Sequence, residues 1–459
     1  MKMNILIIGN GLDLDLRLPT KYTDFLDFTN AFIFSISNNA DEIDEFDTQN
    51  VYRATFSRCH KPDSVNLEKQ YQKSKSTLER FEPCFSSKFI NKACKDFHRC
   101  VYDNCWIKYF NERYETHLIA GENWIDLESE IQRVIDILEN KGFFNIIYDR
   151  NGSNINPSSA FISDILNIKK IIDEFEGNKV TLFIEDYTKF KNRLLNDFDK
   201  FVMALGIYLD FFVSQLPLDV EHASKELIDM MTDNIPNKIE RILSFNYKNN
   251  FRHKISSSQT CYVHGSINYT QELNDHISEQ MSNDDKTYMS IGEIIKRNKM
   301  IIGFDSLQNN NENSDTLDFE LEFVDYRKYF QRIYKGTDSL YADWLDEYKK
   351  KLKENKHIAV RLEETRESVI NRLILQQAET KPNRIFVFGH SLDATDNEIF
   401  KDIFLRELND TQITIYYHDL DSRKRIITNL IKILTKPILV QKTKGNNPDI
   451  KFVEQTYKR

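Results

Sequence analysis

Six short apolar runs stand out along a largely polar chain. They are Asn4-Ile5-Leu6-Ile7-Ile8, Arg241-Ile242-Leu243-Ser244-Phe245, Cys261-Tyr262-Val263-His264, Met300-Ile301-Ile302, Ile385-Phe386-Val387-Phe388 and Ile413-Thr414-Ile415-Tyr416-Tyr417. Each is a few residues long and rich in Ile, Val or Phe, and most do not alternate with polar residues. Short continuous apolar runs are the pattern of strands covered on both faces, as in a parallel sheet packed between helices. The intervening stretches carry helical periodicity instead. Leu127, Ile131, Val134, Ile135 and Leu138 predict a helix over 126–140, and the stripe from Phe190 through Phe198 and Leu205 to Phe212 predicts one over 187–215. Such a stripe is the face of a packed core. Further helices are expected over 21–28, 318–335, 337–354, 357–378, 396–408 and 420–434, with a short strand at 144–147.

The predicted fold class is α/β: a Rossmann-like, mostly parallel sheet with two large, mostly helical insertions. The core is drawn from residues 1–30, 236–304 and 381–459, and the insertions from 31–235 and 305–380.

Glycine sharpens this picture because it is scarce. There are 13 in 459 residues, about 3% where roughly 7% is usual. Five of them end apolar runs: Gly9 and Gly11, Gly265, Gly303 and Gly389. In an open α/β sheet, ligands bind beyond the carboxyl ends of the strands. The polar residues at these run ends are Asn10, Asp13, Asn246, His264, His390, Ser391 and Asp393, and such a sheet would gather them in one crevice. Glycine after a strand also has a plainer reading, as the start of a tight turn.

Charge and cysteine content narrow the function classes. Lys plus Arg number 62 and Asp plus Glu 71, a net charge of −9. That gives no global reason to coat nucleic acid or an anionic membrane, although a local basic patch is compatible with it. No run approaches the roughly 18 apolar residues of a membrane-spanning helix, and the Ile5–Ile8 run lacks a signal-peptide pattern, so a cytoplasmic location is expected. Five of the six cysteines fall between Cys59 and Cys105. Cys94, His98, Cys100 and Cys105 invite a zinc reading, but they lack a paired knuckle spacing, and buried thiols on amphipathic helices fit better. No metal site is expected.

The candidate chemistry lies at the run ends. Gly9-Asn10-Gly11-Leu12-Asp13 resembles a nucleotide-binding βα turn, short of the full G-x-G-x-x-G fingerprint because position 14 is Leu. Two glycines would let a phosphate approach the backbone, and the next helix would offer its N-terminal amides. Asp13 would cap that helix, or bond ribose hydroxyls or a base edge. His264 suits a general base at neutral pH, its ordinary pKa being about 6.5. Asn246 can orient a water or a sugar hydroxyl without adding charge. In Gly389-His390-Ser391-Leu392-Asp393, Ser391 and Asp393 would contact ribose or diphosphate, unless Asp393 or Thr395 simply caps the helix near Asp396. Asn123 with Asp126 fits a capping box, with Trp124 or Glu128 facing the crevice as the functional alternative. Nucleophile-elbow, Walker A and H-E-x-x-H motifs are absent from the sequence.

Taken in order, these motifs resemble a known family. Ile7-Ile8-Gly9-Asn10-Gly11-Leu12-Asp13, Leu18-Pro19-Thr20-Lys21-Tyr22 with Phe25, Trp124-Ile125-Asp126-Leu127-Glu128, Ser244-Phe245-Asn246-Tyr247, Val263-His264-Gly265, Ile302-Gly303-Phe304, Tyr329-Phe330-Gln331 and Phe388-Gly389-His390-Ser391-Leu392-Asp393 resemble the bacteriophage abortive infection AbiH family over essentially the whole chain. Leu12 stands where that family usually carries Phe, and Lys248 where Thr is usual. The pattern in turn resembles, more distantly, the sirtuin-like fold of antiphage NAD-cleaving enzymes. That resemblance implies Asn246 and His264 as catalytic residues. It implies nucleotide contacts at Gly9, Gly11, Gly389 and Ser391, and by the strand-end argument Asn10, Asp13, His390 and Asp393 join them. It implies NAD as substrate, with no prosthetic group, and a cytoplasmic antiphage protein that hydrolyses NAD to nicotinamide and ADP-ribose. The alternative is a nucleotide-binding or phage-sensing module that acts through a homo-oligomer or a phage or defence-system partner.

Overall fold

The computed structural model describes residues 4–37, 65–122, 124–139, 187–232, 239–248, 259–280, 291–304, 323–337, 340–347, 349–350, 383–393, 396–406, 411–445 and 448–457. The expected strand at 144–147 and helix at 357–378 lie outside them. The chain divides into two compact units. The first comprises Met1–Leu18, Pro217–Ser266 and Thr337–Arg459, and the second Pro19–Leu216 and Ile267–Gly336.

The first unit holds a six-stranded sheet: β1 (Asn4–Ile8), β2 (Arg241–Ser244), β3 (Gln259–Tyr262), β4 (Asn383–Phe388), β5 (Thr411–Tyr417) and β6 (Ile450–Glu454). Its order is β3-β2-β1-β4-β5-β6, and every neighbouring pair is parallel. All five residues of β1 are buried, as its uninterrupted apolar sequence requires of the strand at the centre. The chain leaves β1 toward β2 and β3, then returns to the other side of β1 with β4. The order therefore reverses between β1 and β4, the place where open α/β sheets hold their ligands. Parallel pairing also puts the carboxyl ends of β1, β2, β3 and β4 along one edge. The helix Leu420–Leu434 spans the residues its periodicity predicts. It is closed by a capping box in which Asp419 accepts from the Ser422 amide and the Ser422 hydroxyl bonds back to Asp419.

The second unit is helical. Its core is aromatic: Phe28 meets the rings of Phe32, Phe81, Phe97, Tyr208 and Phe212 at centroid distances of 4.7–6.1 Å. The long predicted helix runs as Tyr187–Ile207 and widens into a π turn over Tyr208–Phe212. The Tyr208 hydroxyl, sealed in that core, donates to the Pro19 carbonyl at 2.7 Å. One expectation fails here. Met300-Ile301-Ile302 is fully buried but forms no strand. Its backbone is satisfied by a side chain instead, because the Ile302 amide donates to Gln331 Oε1 and Gln331 Nε2 donates to the Ile302 carbonyl. The apolar run signalled burial, not pairing. The helix Leu127–Glu139 is capped by Asp126, which accepts from the amides of Glu128 and Ser129. Asn123 lies outside the described residues.

Cys94, Cys100 and Cys105 are buried thiols on helices. Burial pushes Cys100 up to about 12 and Cys105 well above its ordinary value, so both remain neutral packing groups. Cys59 is outside the described residues. Among the described residues, no group of three His, Cys, Asp or Glu is arranged to hold a metal ion, and no helix is long and apolar enough to cross a membrane.

One charge cluster makes this unit sensitive to acid. Buried Glu130 accepts from the Tyr109 hydroxyl and, in a two-point grip, from Arg113 Nε and Nη2 at 3.0 Å each. Burial pushes its carboxyl up, but Arg113 and Tyr109 outweigh burial and hold it below the usual carboxylate range. A carboxyl depressed on folding adds stability above its unfolded pKa and loses it as the pH falls through the folded value. Glu130→Gln is therefore expected to cost about 2 kcal/mol at neutral pH. Denaturant titrations should show the gap from wild type narrowing below the ordinary carboxylate pKa; a constant gap would contradict the ionised pairing.

Candidate functional site at the strand ends

The site is built around β1. Gly9 extends the strand and caps the helix Asn10–Asp15, with its amide donating to the Phe388 carbonyl at 3.1 Å. The Gly11 amide donates to the Gly389 carbonyl at 2.8 Å. The turn after β1 thus lies directly on the turn after β4. A Cβ on Gly9 would come within 2.7 Å of the Gly389 oxygen, and one on Gly11 within 2.7 Å of Gly389 Cα. Gly389 itself has φ +67, and a Cβ there would meet the Leu12 nitrogen at 2.2 Å. The scarcity of glycine has a local explanation here: two backbones pack with no room for side chains. This contact accounts for all three glycines and occupies the Gly11 amide.

Asn246 follows β2 and is buried. Its Nδ2 donates to the Gly9 carbonyl and to Asp13 Oδ2, each at 3.2 Å. Its backbone amide donates to the Ser244 hydroxyl, which fixes the turn. Asp13 is likewise buried and does not cap its own helix, whose start has no side-chain cap. Its carboxylate faces Asn246. With both amide hydrogens committed, Asn246 Oδ1 is the atom left to meet a ligand.

His264 follows β3 in a tight turn closed by the Gly265 amide donating to the Tyr262 carbonyl, with Gly265 at φ +71. The ring is buried. Its Nε2 lies 3.3 Å from Asp396 Oδ1, a charge contact rather than an aligned hydrogen bond, and Asp396 is buried too. Its Nδ1 is buried with no hydrogen-bond partner among the described residues. A carboxylate beside Nε2 favours the proton on that nitrogen and leaves the Nδ1 lone pair available.

Phe245 stands between the two histidines, 5.6 Å from the His264 ring centroid and 4.2 Å from that of His390, and stacks on Phe400 at 5.1 Å. Tyr247 flanks His264 at 6.4 Å. His390 is half-buried, and its Nδ1 accepts from the Leu392 amide at 2.8 Å, so the neutral ring carries its proton on Nε2. Asn10, Ser391 and Asp393 are exposed at the same edge, and the Ser391 carbonyl accepts from Asn429.

The structure therefore groups Gly9, Gly11, Asp13 and Asn246 with Gly389, and groups His264 with His390 around Phe245. Sequence reasoning missed Asp396 as the partner of His264. Its residue type and its place before the helix Asn397–Lys401 signal only a cap, and nothing in the sequence links it to a position 132 residues earlier. Gly303 belongs to the helical unit. The Ile302-Gly303-Phe304, Tyr329-Phe330-Gln331 and Trp124–Glu128 motifs interlock within the helical unit. There the buried Lys328 ammonium pairs with Glu128 at 2.8 Å, Gln331 grips Ile302, and Arg327 lies over the Phe304 ring. Trp124 is 59% exposed, so it belongs to the surface of that unit.

The first unit is thus a parallel α/β unit with polar, buried strand ends beside its reversal point, the place where open sheets of this class hold ligands. The model of the bacteriophage abortive infection AbiH family matches residues 5–417, and the chain belongs to that family. The comparison with curated proteins yields no match, nor does the comparison with solved structures.

Proposed function

We propose that this protein acts in abortive infection by hydrolysing NAD to nicotinamide and ADP-ribose in the crevice beyond β1, β2, β3 and β4. One observation carries the reading: Asn246 and His264 end adjacent strands, both buried, each with a carboxylate at its side. The sheet order β3-β2-β1-β4-β5-β6 supports a Rossmann-like nucleotide site, because it is the order of the doubly wound dinucleotide fold. In the reaction the bond between ribose C1′ and the pyridinium nitrogen breaks, and its electron pair leaves with neutral nicotinamide, so no acid is needed. A water oxygen bonds to C1′ and gives its proton to His264 Nδ1, while the Asp396 carboxylate supports the imidazolium so formed. Asn246 Oδ1 holds the water or a ribose hydroxyl. Phe245 and Phe400 keep the site dry, which strengthens each of these interactions.

A second reading, nucleotide binding without turnover, is favoured by one observation: the Gly11 amide that a phosphate would use is already taken by Gly389. Calorimetric titration with NAD and with ADP-ribose, run beside a nicotinamide-release assay on the same protein, separates the two. Binding with release supports hydrolysis, binding without release supports the module, and no binding of either ligand rejects both.

A further inference from the structure

The family match ends at residue 417, and the chain beyond it has a different character. Residues 418–459 carry ten Lys or Arg and four Asp or Glu, within a chain of net charge −9. They fold as the helix Leu420–Leu434, the helix Lys436–Lys442 and the edge strand β6. Between these three lies a groove of about 650 Å³, within the range of ligand-sized cavities. Its lining combines aliphatic side chains, among them Ile427, Ile431 and Val440, with the cations Arg423, Lys436 and Lys451, and includes no acidic residue. None of the three cations has an ion-pair partner among the described residues. The Arg423 guanidinium is held over the rings of Tyr417 and Phe452 at 5.4 and 5.6 Å, and its Nε is buried with no hydrogen-bond partner among the described residues. An arginine fixed this way is preorganised for a carboxylate.

We propose that this groove docks an acidic peptide segment of a partner protein, one whose carboxylates alternate with apolar side chains. The carboxylates meet Arg423, Lys436 and Lys451, and the apolar side chains fill the space between Ile427, Ile431 and Val440. The occupant's chemistry follows from complementarity of both charge and apolarity. A nucleic acid fits less well, because the lining is mostly aliphatic and its aromatic ring, Phe452, is already covered by Arg423. A membrane surface fits less well, because the exposed apolar side chains Ile431 and Val440 line a groove rather than a protruding face.

The test uses the full chain and a panel of short synthetic peptides in which Asp or Glu alternates with Leu, Ile or Phe. Matched panels replace every acid with Lys, or every apolar residue with Ser. Fluorescence anisotropy should show saturable binding in the first panel only, weakening as salt rises. Lys451→Glu and Val440→Asp lie at exposed positions, and each should weaken the best peptide roughly tenfold with unfolding temperature unchanged. The proposal is overturned if the acidic apolar panel binds no better than the matched panels. It also fails if both folded variants bind as wild type does, or if duplex DNA or phosphatidylserine vesicles displace the best peptide by binding the groove more tightly.

Discussion

Gly389→Ala should lower the stability of the sheet unit by on the order of 3 kcal/mol, measured by denaturant titration. Two effects combine. A non-glycine residue in the left-handed region costs about 1–2 kcal/mol in itself. The larger effect is steric, since the new Cβ would fall 2.2 Å from the Leu12 nitrogen and 2.6 Å from the Gly11 carbonyl carbon. Both are backbone atoms, so the turns after β1 and β4 must separate, and the Gly11–Gly389 hydrogen bond goes with them. Gly445→Ala is the internal control. It has φ +91 but nothing within 4 Å of a Cβ, so it should show the conformational cost alone, about 1 kcal/mol. Equal losses in the two variants would mean that the two turns do not press on one another.

His264→Ala is expected to reduce NAD turnover by about 10²–10⁴-fold, the usual worth of a positioned general base. The fold should survive, because the lost Nδ1 makes no hydrogen bond among the described residues. Asp396→Asn should fall between wild type and His264→Ala, since the base remains but its supporting charge is gone. Its pH–rate profile should change shape as well as height, which a purely structural role for Asp396 would not cause. Full activity in a folded His264→Ala would remove His264 from the chemistry.

The elements most legible in the sequence were those dictated by burial alone. β1 and β4 read as strands because both faces are covered, β5 because one face is buried and the other half-buried, and Leu420–Leu434 read as a helix because one face is buried. What resisted reading was whatever depended on a partner distant in sequence. Met300–Ile302 carries the apolar signature of a strand, yet Gln331 satisfies its backbone, and no local pattern distinguishes a side-chain partner from a neighbouring strand. The glycines were the subtlest case. Sequence reasoning takes Gly9 and Gly11 as room for a phosphate, and the fold places the backbone of Gly389 in that room. The meeting of Asn246 and His264 at one edge could be anticipated, since it needs only a parallel sheet. The carboxylate beside His264 could not, because nothing local in the sequence ties Asp396 to a position 132 residues earlier; Asp13 is expected in the same crevice, but as a cap or a ribose contact rather than as the partner of Asn246.

The central claim is that the strand-end site cleaves the nicotinamide–ribose bond, and the most direct measurement is a time course of nicotinamide and ADP-ribose release from NAD by wild type, Asn246→Ala and His264→Ala in parallel. Equal amounts of both products from wild type, with loss of both in each folded variant, is the predicted result. Release that persists undiminished in both variants, or a wild type that neither binds nor cleaves NAD, would contradict it.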